Sequence, residues 1–83
     1  MYKINFKGSR ENAQFVKVLL ANFVGTGNYE VRESRKVGVN GTVINMDITI
    51  RGNFRIFSER LAKQNINLQF VCQNAGTWNY AII

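Results

Sequence analysis

The chain of 83 residues contains no histidine and a single cysteine, Cys72. A Ser/His or Cys/His nucleophilic pair therefore has no base to draw on. A standard zinc site lacks its ligands, and an internal disulfide has no second thiol. The acids number five and are dispersed: Glu11, Glu30, Glu33, Asp47 and Glu59. General acid–base chemistry needs two such groups poised together. Glu11 and Glu59 read as helix-surface residues, and Glu30 and Asp47 lie far apart along one hairpin. The Gly25-Thr26-Gly27 run follows a helix, whereas phosphate-cradling loops follow a strand and open a helix. No enzymatic activity and no cofactor are expected.

What the sequence does supply is positive charge. Eleven Lys and Arg against five acids give a formal charge of +6 and a pI near 10.0, which favours anionic partners. Under the strand alternation described below, Lys3, Lys7, Arg32, Lys36 and Arg51 share one sheet face with Asn5, Asn45, Thr49, Asn67, Gln69 and Gln73. Set against Glu30 and Asp47, that face carries a net +3. Cationic and amide side chains on a flat surface suit phosphate contacts. With no aromatic platform among them, such binding is expected to be weakly sequence-selective. Arg10 and Arg55 flank the helix entries Lys7-Gly8-Ser9-Arg10 and Arg51-Gly52-Asn53-Phe54-Arg55, where free N–H groups favour anions. The candidate nucleic-acid contacts are therefore Lys3, Lys7, Arg10, Arg32, Lys36, Arg51 and Arg55.

The elements that must position these residues follow from periodicity. Tyr2, Ile4 and Phe6 alternate with Lys3, Asn5 and Lys7, as in a half-buried strand. Ser9 suits an N-cap, and Phe15, Val16, Leu19, Leu20 and Phe23 form an apolar stripe on a helix from about Arg10 to Val24. Residues 29–39 and 42–51 read as strands joined by Asn40-Gly41, a favoured type I′ pair. That turn sets Val39 opposite Thr42, Val37 opposite Ile44, Arg35 opposite Met46, Glu33 opposite Ile48 and Val31 opposite Ile50. Glu33 and Arg35 then point inward, which an edge strand tolerates. Asn53 is expected to cap a second helix over about 54–64, carrying Phe54, Phe57 and Leu61 inward. A final hairpin, 66–73 and 77–83, turns through Asn74-Ala75-Gly76 and pairs Cys72 with Trp78, Phe70 with Tyr80 and Leu68 with Ile82. Cys72 is thereby expected in the core.

The order β-α-β-β-α-β-β implies an α+β domain spanning the whole chain, with both helices on one face of an antiparallel sheet. A ferredoxin-like split βαβ sandwich with sheet order 4-1-3-2 accommodates it, the extra C-terminal strand lying outside the fourth. In element order and charge the chain resembles the RNA-recognition motif, whose first strand is similar to Tyr2-Lys3-Ile4-Asn5-Phe6. It departs from that family at Lys3, where an apolar residue belongs, and along 42–48, which contain no aromatic residue. The family is not assigned. No apolar stretch is long enough for a membrane span, and the alternating N-terminus does not read as a signal peptide. A cytoplasmic location is expected. The leading expectation is a small non-enzymatic domain binding DNA or RNA. Its rival is a phage or mobile-element protein-interaction module that inhibits a host complex, with homodimerisation through the edge strand 29–39 a further option.

Overall fold

The computed structural model describes residues 1–39 and 41–82. Its elements are β1 (Tyr2–Gly8), α1 (Arg10–Leu19), a π-helical turn (Leu20–Val24), β2 (Tyr29–Gly38), β3 (Gly41–Ile50), α2 (Phe54–Ala62), β4 (Leu68–Asn74) and β5 (Thr77–Ile82). The fold is α+β: a five-stranded, mostly antiparallel sheet with two helices on one face.

Local chemistry accounts for the helix boundaries. Ser9 caps α1, its hydroxyl accepting from the Asn12 amide at 3.1 Å. The helix widens over its last turn, where the Gly25 amide reaches back to the Leu20 carbonyl at 2.9 Å. Gly25 stops it at φ 90°, a conformation other residues rarely adopt. Helix α2 begins differently from expectation. Asn53 is left-handed (φ 55°) and its side chain makes no capping bond. Its C-terminus is a Schellman turn: left-handed Asn65 donates to Ala62 at 3.0 Å, and Ile66 donates to Leu61 at 3.0 Å. Leu61 and Ile66 are both buried and complete the motif with an apolar contact.

The core lies between the helices and the inner faces of β1 and β3. Ile4 and Phe6 from β1 meet Ile44, Met46, Ile48 and Ile50 from β3, beneath Ala13, Val16, Leu19, Leu20, Val24, Phe57 and Leu61. The alternation read from β1 and the apolar stripes of both helices therefore describe the faces that are buried.

The sheet order is β2-β3-β1-β5-β4. The ferredoxin-like expectation placed the fifth strand outside the fourth, and this is corrected: β5 lies inside, parallel to β1, and β4 forms the edge. Strand composition gives the physical reason. β5 turns Tyr80 and Ile82 toward the helices and is at least partly buried at every residue but Trp78. β4 is mostly exposed and carries a bulge at Val71, features suited to an edge. β2 occupies the other edge, as its inward charges require.

Two hairpin registers also differ from expectation. In β2–β3, Gly38 pairs with Gly41, Val37 with Thr42 and Val31 with Ile48, two residues away from the expected alignment. A two-residue slip preserves the face of every side chain. Asn40 of the expected Asn40-Gly41 turn lies outside the described residues. In β4–β5, Leu68–Ile82 and Phe70–Tyr80 pair as expected. Beyond the Val71 bulge, Cys72 pairs with Asn79 and Gln73 with Trp78. The turn shortens to Ala75-Gly76, both with positive φ (50° and 80°). The bulge therefore moves Cys72 off the aromatic face, and it is exposed, not in the core.

Candidate nucleic-acid interface

The face of the sheet turned away from the helices is open. β1 places Lys3, Asn5 and Lys7 there, opposite Thr49, Asp47 and Asn45 of β3. β2 continues the surface, with Arg32 opposite Asp47 and Ser34 opposite Asn45. A shallow trough of about 630 Å³ runs along this face, its walls including Lys3, Asn5, Arg32, Asp47, Arg51 and Asn79.

Both carboxylates of this face already have partners. Asn5 donates through Nδ2 to Asp47 Oδ1 at 2.9 Å and to Asn45 Oδ1 at 3.2 Å. Arg51 Nη2 donates to Glu30 Oε1 at 3.1 Å. Among the described residues Lys3, Lys7, Arg32 and Lys36 form no ion pair, and all four are exposed. The surface thus combines free cations with carboxylates held by neutral or cationic neighbours. It can neutralise several anionic groups arrayed along a line.

Five of the seven sequence-derived candidates, Lys3, Lys7, Arg32, Lys36 and Arg51, are brought to this one face. Arg10 is not: it lines a separate shallow groove beside Lys17, Glu33 and Arg35, between α1 and the edge of the sheet. Arg55 is also elsewhere, on α2, where its Nε donates to Glu59 at 3.2 Å. Glu59, a helix-surface residue, is thus paired one turn back along α2.

The groove beside β2 explains the inward charges of that strand. Lys17 reaches from α1 to pair with Glu33, and this hydrogen bond holds the Glu33 carboxyl below its ordinary range. Partial desolvation opposes the shift, and the charges of Lys17 and then Arg35 reinforce it.

The sequence reading missed an aromatic cluster on the helix side of β5 and β4. Tyr2 stacks on Phe54 with ring centroids 4.2 Å apart, and Phe54 meets Tyr80 at 4.8 Å. Phe70 lies 5.5 Å from Trp78 and 5.8 Å from Tyr80. The inner end of the cluster is half-buried, but Phe70 and Trp78 remain 49% and 40% exposed because no helix covers them. Val71, on the bulge, is 60% exposed and lies on the other face, against the trough. A signal for this region was present in the sequence: residues 64–83 contain no charged side chain.

Among the described residues no helix is long and apolar enough to cross a membrane. Comparison with family models, with curated proteins and with solved structures returns no match.

Proposed function

We propose that this is a non-enzymatic domain that binds nucleic acid through the open sheet face, contacting the phosphate backbone with little sequence selectivity. The observation that carries the reading is the group of exposed cations without an ion pair among the described residues, Lys3 and Lys7 on β1 and Arg32 and Lys36 on β2, on a face whose carboxylates are already engaged. Arg51 and Asn45 supply further donors for phosphate and sugar oxygens. The aromatic cluster belongs to the opposite face, so bases laid along this surface find no stacking partner. We read the fold as a variant of the ferredoxin-like arrangement in which the last strand is inserted beside the first.

Titration of single- and double-stranded DNA and RNA over a range of salt concentrations tests the proposal. Each phosphate contact contributes about 0.7–0.9 to the slope of log K against log salt. Replacing Lys3, Lys7, Arg32 and Lys36 together by Gln should flatten the slope by roughly 3. Replacing Arg10, Arg55 and Lys63, which lie off this face, should lower affinity modestly through the long-range field alone. Equal losses from both sets, or no binding by the native protein at low salt, would overturn the reading.

A further inference from the structure

We infer that the β4 edge is a self-association surface, at which a second copy of this chain pairs antiparallel with the first. The two edges of the sheet differ in kind. β2 presents Glu30, Arg32, Glu33, Arg35 and Lys36 within ten residues, and Glu33 is tied back to α1 through Lys17. Charges on and beneath an edge strand discourage another strand from docking. β4 (Leu-Gln-Phe-Val-Cys-Gln-Asn) carries none, and neither does β5 behind it.

Charge distribution selects the occupant. Every charged side chain lies within residues 1–63, giving +6 there and zero over residues 64–83. The net charge of two copies therefore opposes their approach through the charged part of the chain and leaves this margin free of that repulsion. Strands are spaced about 4.8 Å apart, so the β1 cations stand roughly 10 Å and the β2 charges roughly 19 Å behind the β4 edge. Those distances exceed the Debye length of about 8 Å at physiological salt. A polyanion gains nothing at an uncharged edge, whereas a second copy meets an identical neutral strand with unpaired backbone groups. It also extends cover over the apolar side chains that the fold leaves open at this margin, Phe70 and Trp78 on the helix side and Val71 on the other face.

Pairing about a two-fold axis normal to the sheet is isologous. It joins the Phe70–Trp78 clusters of both copies on one side of a continuous sheet and sets both basic faces on the other. The Val71 bulge divides β4 into the short segments Leu68–Phe70 and Cys72–Asn74, so the association is expected to be reversible. The inference does not depend on nucleic-acid binding.

Sedimentation of the full chain without nucleic acid, across micromolar to millimolar concentration, should show a monomer–dimer equilibrium. The double variant Val71→Lys/Cys72→Lys changes two exposed side chains and should weaken dimerisation at least tenfold. Val37→Lys, on the exposed end of the β2 edge, should leave it unchanged. Thiol cross-linking supplies a readout that does not depend on folding of the lysine variant. Native Cys72 should be captured as a covalent dimer by a short bismaleimide at least tenfold faster than the relocated thiol of the variant Ser34→Cys/Cys72→Ser. A monomer at millimolar concentration, a dimer broken by Val37→Lys, or faster capture through the relocated thiol on β2 would each overturn the assignment.

Discussion

Glu33 shows how one side chain carries information from sheet edge to helix. Its carboxyl sits on the inner side of β2 at the sheet margin, still in contact with solvent, and the Lys17 ammonium pairs with it. Because that hydrogen bond lowers the folded-state pKa of Glu33, the resulting stabilisation is full above the ordinary carboxylate pKa. It is lost as pH falls through the lowered value. Both groups retain solvent contact, so the expected contribution is at most about 1 kcal/mol. The variant Lys17→Gln should raise the Glu33 titration midpoint, read by NMR, towards its ordinary range. Its stability deficit should be present near neutral pH and vanish in acid. A deficit that persists in acid would mean that Lys17 acts through packing of its methylene stem. Sequence periodicity could place Glu33 on the inner face but not name its partner, because Lys17 becomes a neighbour only once α1 lies across the β2 margin.

At the scale of elements, the C-terminal hairpin separates what a local pattern reveals from what packing decides. The pairs Leu68–Ile82 and Phe70–Tyr80 were legible because they are apolar on one face in a single register. The turn was not, since alanine is a poor occupant of a left-handed position and a three-residue loop was the simpler reading. The structure sets Ala75 at φ 50° and offsets the shortened turn with an extra residue at Val71. That exchange decides the fate of Cys72. Left-handed alanine costs about 1–2 kcal/mol, and asparagine is better tolerated there. Ala75→Asn creates the Asn-Gly pair preferred in type I′ turns and should stabilise the protein by about 0.5–1 kcal/mol, measured by urea denaturation. Destabilisation would point back to the three-residue loop. The β2–β3 register was misread for a related reason: a slip of two leaves the apolar faces matched, so alternation alone cannot detect it.

For the whole molecule, the strand order was the least legible feature. Local patterns established the elements and their inner faces, and they grouped five basic residues on one surface. They contain no statement about which member of the last hairpin meets β1. That choice turns on coverage, because an inner strand is flanked by a neighbour on each side and an edge strand is not. β5 is at least partly buried at every residue but Trp78, whereas the bulged β4 is exposed at every residue but Leu68. Amide hydrogen exchange tests the order directly, since protection reports on local opening free energies. β5 is bonded on both sides, to β1 and to β4, with the Trp78 amide itself donating to the Met1 carbonyl at 3.0 Å. Its amides should exchange slowly along Thr77–Ile82. In β4 only the groups facing β5 are bonded within the monomer, so protection at low protein concentration should fall on part of Leu68–Asn74 and leave the rest fast. If the second copy adds itself to this edge, the fast set should slow as concentration rises while the β5 set stays unchanged. Continuous protection in β4 beside fast exchange in β5 at low concentration would exchange the two strands. The uncharged margin of the sheet would then be β5.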